Sequence, residues 1–474
     1  MNDEREIPMK SLRSLVTISS TLSVSVLVAL AACSGAKHSS DFGDGDGGVG
    51  SGGEGGSFGL GGGGEGGGAC VGLQCQQATC SGGGTTSISG TVLDPAGVTP
   101  LYNVIVYVPN TAVTTPADGY ATCDQCGSIA NSPVVSTLTD TSGNFSLTNM
   151  PVGDNIPLVV QVGKWQRQYT IPHVEKCTDT PLDKAATRLP KNSTEGHIPK
   201  IAVTTGGYDS LECFLRKIGI DESEFSNGGG TGRVQLYQGE GGGSVINGST
   251  PRAYGSSSAF WNDVNQLKAN DIVALTCEGN EYGSDKPSTA LDAMRDYTNG
   301  GGRVFATHYH YYWFKTEPAT AGIASWSAPF STAAHYTVDT SFPKGSDFAD
   351  WLQNINATTT RGQIDLTEVA NDVGAVSANA QRWIYQGASS SSYATQYMTF
   401  NTPVASAPAD QCGRVVFSDI HVEAEDSPTN SGNSTFPALC GGAKITAQEQ
   451  ALEFLFFDLN SCVQDDSQKP QPPR

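Results

Sequence analysis

The chain has 474 residues, a length that allows two or three domains with a sizeable core. Its 47 acidic and 27 basic residues give a formal net charge of −20, which argues against nucleic acid as a partner because phosphates require a basic surface. Charged residues make up only 16% of the chain while glycine is abundant. This composition is typical of secreted or surface proteins rather than of cytosolic enzymes.

Residues 1–33 have the features of a targeting segment. Basic residues precede an apolar run that is shorter than a comfortable membrane span and closes with small residues. The sequence Leu-Ala-Ala-Cys, which ends at Cys33, resembles the lipobox of bacterial lipoproteins. The resemblance implies cleavage before Cys33, lipidation of that residue and anchoring in a membrane, and Ser34 implies the outer membrane. The alternative is an ordinary signal peptide with a chance cysteine at its cleavage site.

Residues 34–85 form a glycine-rich, acidic stretch followed by a cysteine-rich segment, and the stretch predicts a flexible tether. The chain has 12 cysteines, and an oxidising compartment makes disulfides their expected state. Lipidation of Cys33 would leave an odd number, so at least one thiol stays free or pairs elsewhere. Cys123 and Cys126 have CxxC spacing. We expect a structural staple of that loop, with redox or metal roles as the alternatives.

Residues 86–190 show an all-β pattern of short β-branched runs bounded by Gly, Pro, Asn and Asp. This pattern predicts a β-sandwich. The sequences GTVLDPAGVTPLYNVIVYV and TDTSGNFSLTNMPVG resemble a carboxypeptidase-regulatory-like domain of transthyretin-like topology. The resemblance implies a non-catalytic sandwich on an extracellular protein, sometimes associated with carbohydrate binding. Trp165 and Tyr169 are candidates for an aromatic sugar platform, and ordinary packing on the strands is the alternative.

From residue 198 the pattern changes to apolar strands that alternate with amphipathic helices, which predicts an α/β domain with a mostly parallel sheet over residues 198–462. Thr446 and Glu449 have the spacing of a capping box at the start of the last helix. The Pro-rich residues 463–474 predict a disordered tail. The fold class is therefore a multi-domain chain, with an all-β sandwich followed by a three-layer α/β domain.

Two histidines follow apolar runs that each begin after glycine, and they mark the candidate site. Parallel strands end at a common edge, where ligands bind in open α/β sheets. We therefore expect the imidazoles of His308 and His421 to lie within about 8 Å of each other. His310 joins them if the chain stays extended, and Asp419 and Glu423 place carboxylates nearby. Such a set could hold a divalent metal ion or bind sugar hydroxyls; the alternative is a pair of packed histidines.

The runs GGGRVFATH, which ends at His308, and GRVVFSDIH, which ends at His421, resemble the glutamine-amidotransferase-like fold, and within it the trehalose-utilisation-type branch. Class I amidotransferases carry a nucleophilic cysteine in a G-x-C-x-G elbow after the corresponding strand. This chain has His308 in the elbow, so no glutaminyl thioester can form and glutaminase activity is rejected. Cys277 follows the preceding strand. A disulfide or an inert buried thiol is expected there, and a nucleophile is the alternative.

Three functions remain open at this stage. The first is a surface lipoprotein, anchored in the outer membrane, that binds glycans or an envelope polymer without turnover. The second is a hydrolase or metal-dependent sugar-modifying enzyme that uses the edge formed by His308 and His421. The third is a structural envelope protein. The sequence favours a binding function over catalysis. The cofactor for which it offers candidate ligands is a divalent metal ion.

Overall fold

The computed structural model describes residues 70–119, 123–126, 133–246, 252–328, 333, 335–422, 435–441 and 444–470. All of them belong to one compact unit. The expected signal peptide, the lipidation site Cys33, the tether and the candidate ligand Glu423 lie outside the described residues.

The first part of the described chain is an arrangement of two small sheets like a sandwich, as the β-branched runs predict. One sheet has the order β4-β1-β7 and the other β3-β2-β5-β6, and all neighbours are antiparallel except β1 and β7. The strands are β1 (Ser87–Thr91), β2 (Ile105–Pro109), β3 (Pro133–Leu138), β4 (Asn144–Thr148), β5 (Gly153–Val162), β6 (Trp165–Val174) and β7 (Asp179–Pro181).

The second part is an α/β layer built on one large sheet, and three of its short strands, Val245–Ile246, Arg252–Ala253 and Thr435–Phe436, form a separate small sheet. Its strands are β8 (Ile201–Thr205), β9 (Phe225–Asn227), β10 (Val234–Gln238), β11 (Val245–Ile246), β12 (Arg252–Ala253), β13 (Gly255–Ser256), β14 (Ile272–Leu275), β15 (Arg303–Thr307), β16 (Tyr336–Val338), β17 (Gln363–Ile364), β18 (Gln381–Gln386), β19 (Ala394–Thr402), β20 (Gly413–Ser418) and β21 (Thr435–Phe436). The α-helices are α1 (Lys184–Thr187), α2 (Leu211–Lys217), α3 (Ser257–Trp261), α4 (Val264–Lys268), α5 (Ser288–Asn299), α6 (Tyr311–Thr316), α7 (Pro343–Asn354) and α8 (Ala447–Asn460).

The large sheet has the order β13-β10-β8-β14-β15-β20-β19-β18-β16-β17, and β9 pairs with β10. The half from β13 to β20 is parallel and the half from β20 to β17 is antiparallel. Strands β8, β14, β15 and β20 are buried along their whole length, which explains why their sequences are continuous apolar runs. The predicted mostly parallel α/β sheet is confirmed, and β20 returns beside β15 after a long insertion.

The two parts share one hydrophobic core. Tyr102 stacks on Phe454 of α8 with ring centroids 5.7 Å apart, and Trp165 meets Phe457 edge-on at 5.8 Å. Trp165 is fully buried by this packing, so this candidate for a sugar platform packs in the core, as the alternative had it. The regions predicted as separate domains, 86–190 and 198–462, thus pack as layers of a single unit.

The described cysteines form five disulfides, which indicates an extracytoplasmic protein. The CxxC pair does not staple its own loop: each of its cysteines bridges to the α/β part, because that loop lies against it. Among the described cysteines Cys277 alone is free, in agreement with the odd count. No helix within the described ranges is long and apolar enough to cross a bilayer. The bridges are Cys70–Cys75, Cys80–Cys177, Cys123–Cys412, Cys126–Cys462 and Cys213–Cys440.

Candidate metal centre at the carboxyl edge of the sheet

Four neighbouring parallel strands deliver polar side chains to one edge of the sheet. Asp209 follows β8, Cys277 follows β14, His308 follows β15 and His421 follows β20. The ring centroids of the two histidines lie 4.8 Å apart. The predicted proximity of His308 and His421 at a common edge is therefore confirmed, and it follows from the parallel order of the strands.

The backbone turns sharply at His308. This residue has φ +37°, a left-handed conformation that a side chain rarely adopts, and it begins a short 3-10 helix that ends at His310. The turn lifts the His308 imidazole to the edge, where Tyr309 stacks on it at 4.0 Å. Non-glycine residues held in such strained conformations concentrate at functional sites.

His310 does not join the site, because the chain does not stay extended after β15. The residue is buried, and its Nε2 lies 2.9 Å from the carbonyl oxygen of Thr276. The indole N–H of Trp313 donates to Nδ1 at 3.1 Å, so the proton of the neutral ring belongs on Nε2. Burial, together with the charge of Lys286, holds the pKa of His310 well below its ordinary value. This histidine supports the segment next to Cys277 and is not a ligand.

Three ligand atoms converge at the centre of the edge. The Sγ atom of Cys277 lies 3.3 Å from Nδ1 of His308. One ligand atom from each of Cys277, His308 and His421 lies within 4.8 Å of the other two. Gly206 permits this convergence, since a Cβ atom at that position would come within 2.1 Å of the carbonyl oxygen of Cys277.

A carboxylate is hydrogen-bonded to the other nitrogen of His421, and a second carboxylate lies close to the other nitrogen of His308. The Oδ1 atom of Asp209 lies 2.8 Å from Nδ1 of His421, which leaves Nε2 of that ring for a ligand. Asp372, from the insertion, places Oδ2 at 3.1 Å from Nε2 of His308. Carboxylates in these positions fix the orientation of metal-binding histidines and raise their basicity.

Asp209 is itself held by a network of hydrogen bonds. It is fully buried, it accepts from the backbone N–H of Val422 at 3.1 Å, and it accepts from the hydroxyl of Thr307 at 2.6 Å. The same hydroxyl accepts from the backbone N–H of Cys277 at 2.9 Å. Burial alone would lower the pKa of His421, but its hydrogen bond to Asp209 and the surrounding carboxylates raise that pKa above its ordinary value.

Asp419 is not a ligand, although the sequence placed it beside His421. It is fully buried, and its Oδ2 accepts from the backbone N–H groups of Asp372 and Val373 at 2.9 and 3.3 Å. Burial and the charge of Asp372 raise the pKa of Asp419 well above its ordinary value. Asp419 therefore fixes the loop that carries Asp372.

The environment of Cys277 disfavours a nucleophilic role. Burial and the charge of Asp209 raise the pKa of its thiol far above the ordinary value. Reactive thiolates need a cation or a helix N-terminus nearby. Lys286, beyond the same strand, is buried and paired with Glu278 at 2.7 Å. A metal ion supplies the positive charge that ionises such a thiol.

Sequence reasoning missed Asp209 and Asp372 as participants in the site and gave Cys277 no ligand role. The sequence does contain a signal for Asp209, because this residue is the first carboxylate after β8, one of the parallel strands. Asp372 carries none, since it lies in an insertion without periodicity and reaches His308 only through the fold.

No protein-family model matches the chain, and no curated protein matches it. Two solved structures of type II cohesin–X-dockerin interface mutants from Acetivibrio cellulolyticus are 15% and 16% identical to it. Their matches cover 31% and 32% of this chain and 78% and 80% of those chains, each with a TM-score of 0.15. A 9R-lipoxygenase from Cyanothece PCC8801 is 15% identical over 31% of this chain and 24% of its own, with a TM-score of 0.13. Similarity at this level carries no argument about function.

Proposed function

We propose that this protein is a metal-dependent hydrolase of the cell envelope, with one divalent transition-metal ion bound by Cys277, His308 and His421. The observation that carries the proposal is the convergence of their three ligand atoms within 4.8 Å. The carboxylates Asp209 and Asp372 behind the two imidazoles support it.

The donor set matches the chemistry of zinc. One thiolate and two imidazoles are borderline-soft ligands, and three protein ligands leave the fourth tetrahedral position open, as in catalytic zinc sites. A zinc ion in such a site lowers the pKa of its bound water to about 7, which provides a nucleophile at neutral pH. The side chains of His308 and Asp372 are 15% and 23% exposed, so the edge is open to a substrate on that side.

The envelope location rests on three features of the chain. The disulfides belong to an oxidising compartment. The lipobox-like sequence that ends at Cys33 supports an outer-membrane lipoprotein. The resemblance of the first part to a carboxypeptidase-regulatory-like sandwich, and of the second to a glutamine-amidotransferase-like domain without its cysteine, supports a binding module fused to a modified enzyme fold.

Glycan or envelope-polymer binding without turnover is the second candidate, and Tyr208 favours it. This ring is 57% exposed and lies 4.5 Å from the ring of His421, so it offers an aromatic face at the same edge. Aromatic faces of this kind pack against sugar rings. Binding of this type would survive removal of the metal, whereas hydrolysis would stop with a chelator and return with zinc.

The direct test is the metal content of the purified full chain, measured by inductively coupled plasma mass spectrometry. We expect about one zinc ion per chain in the wild type, and a loss of most of it in Cys277→Ser and His421→Ala. His335→Ala is the matched control, because His335 is an exposed histidine that also contacts a carboxylate, Asp365. A wild type that takes up no more metal than Cys277→Ser would overturn the proposal.

A further inference from the structure

Apart from the proposed metal ion, the charges that act on this edge are mainly those of carboxylates. Asp209, Glu368 and Asp372 act on His421, and Asp372 and Glu281 act on Tyr309. Glu368 is an exposed residue, and Asp372 and Glu281 are partly exposed.

The nearby basic groups offset only part of these charges, and the carboxylates of Glu368 and Asp372 remain at the edge. Lys286 is buried against Glu278. Lys315 pairs with Glu281 at 2.9 Å, and its ammonium group lies over the ring of Tyr311. The described part of the edge therefore presents carboxylates to an arriving ligand.

Two tyrosine rings stand among these carboxylates. Tyr208 lies against His421 and Tyr309 stacks on His308. An aromatic face beside carboxylates attracts a cation, through the ring quadrupole and through Coulomb attraction, and neither interaction favours an anion. The net charge of −20 also attracts cationic ligands rather than anionic ones.

We propose that the substrate of this centre carries a positively charged group, of the ammonium or guanidinium class, beside the bond that is hydrolysed. The inference rests on the proposed metal centre and adds its charge preference. The cationic group would lie against Tyr208, near Glu368 and Asp372, while the reacting group reaches the open coordination position. The same carboxylates disfavour phosphorylated, sulfated and uronate substrates relative to cationic ones.

The test uses metal-directed probes, so that it does not depend on knowing the reaction. The probes are the Nα-acetyl hydroxamates of lysine, norleucine and glutamate, which share the metal-binding group and differ in side-chain charge. Their affinities for the zinc-loaded full chain are measured by isothermal titration calorimetry at low and high salt. We expect the lysine probe to bind between about 2-fold and about 30-fold more tightly than the norleucine probe, and the glutamate probe to bind most weakly.

Two variants and two controls locate the preference. Tyr208→Ala and Glu368→Gln should each reduce the ratio of lysine to norleucine affinity, while Tyr208→Phe should keep it because the ring remains. Tyr169→Ala changes a partly exposed tyrosine of the sandwich, and Asp365→Asn removes an exposed carboxylate elsewhere, so both should leave the ratio unchanged. The preference should also shrink at high salt.

The outcomes separate the two proposals. A chain that holds no zinc contradicts the metal centre itself. A zinc-loaded chain that binds the three hydroxamates equally, or prefers the glutamate probe, overturns the charge preference and leaves the metal centre standing. A preference that Tyr208→Ala and Glu368→Gln leave intact also overturns it, since these residues are its stated origin.

Discussion

Asp209 organises the candidate centre through three separate contacts. One oxygen contacts the His421 ring and accepts a hydrogen bond from the backbone N–H of Val422. The other accepts from the hydroxyl of Thr307, which itself accepts from the backbone N–H of Cys277. Because Thr307 directly precedes His308, a single buried carboxylate thereby links all three ligand-bearing segments. Its side chain touches no proposed metal position, so its role is one of positioning.

Asp209→Asn tests this role at the residue scale. The amide has the size of the carboxylate but neither its charge nor a second acceptor oxygen, so it can no longer accept from Thr307 while it orients His421. We expect zinc affinity to fall by about 10-fold to 100-fold, as competition with a chromophoric chelator would measure. Asp365→Asn, at the exposed His335 pair, should leave the affinity unchanged. Equal affinities in both variants would mean that Asp209 does not position the ligand.

At the scale of elements, the junction between the sandwich and α8 contains a buried pair of acids. Asp94 lies in the sandwich and Glu453 in α8, and both carboxyl groups are buried and act directly on each other. Burial raises the pKa of Asp94 to about 6. Burial and the charge of Asp94 raise the pKa of Glu453 well above its ordinary value.

This pair predicts a pH-dependent stability. Carboxyl groups whose pKa rises on folding stabilise the fold below the unfolded pKa, and that contribution is lost as the pH rises through the folded pKa, about 6 for Asp94. Glu453→Gln removes one of the two ionisable groups whose pKa rises on folding, so it should raise the free energy of unfolding at pH 8 by about 1–3 kcal/mol and change it little at pH 4. Urea denaturation at both pH values measures this. A variant less stable than wild type at pH 8 would refute the interpretation.

The loop that carries Cys123 and Cys126 holds the two parts of the chain together covalently. Its disulfides join residues 289 and 336 positions apart, whereas Cys70–Cys75 joins residues only 5 apart. Closing so large a loop in the unfolded chain stabilises the fold by about 5 kcal/mol through lost chain entropy, and closing the small loop contributes much less. Replacing Cys123 and Cys412 together by Ser should therefore lower the melting temperature far more than replacing Cys70 and Cys75. Equal losses in calorimetry would contradict this account.

At the scale of the whole molecule, the sequence predicts the parts that depend on local pattern. The apolar runs after glycine predict strands β15 and β20, and their parallel order predicts the meeting of His308 and His421. The contribution of Asp372 depends on how the insertion between β15 and β20 packs on the sheet. The hydrophobic periodicity of the sequence does not predict that packing. The prediction for His310 was wrong because the chain turns at His308. That turn requires a positive φ at a residue other than glycine, for which the sequence gives no signal.

The location of the protein is a prediction of the same scale. Cys33 lies outside the described residues, and the lipobox-like sequence before it predicts a lipid anchor. Cys33→Ala should abolish recovery of the chain in the membrane fraction while the folded part keeps its disulfides and its zinc. Recovery of equal amounts of mutant and wild type in the membrane fraction would refute the lipid anchor. It would leave the proposed metal centre unaffected.

The central claim is that Cys277, His308 and His421 hold one metal ion. X-ray diffraction from crystals of the zinc-loaded protein, recorded on both sides of the zinc absorption edge, tests it most directly. We expect a single strong anomalous peak between the Cys277 sulfur and the two imidazoles, about 2.3 Å from the sulfur and about 2.0–2.1 Å from each nitrogen. A zinc-loaded crystal with its anomalous peak elsewhere, or with none between these three side chains, would contradict it.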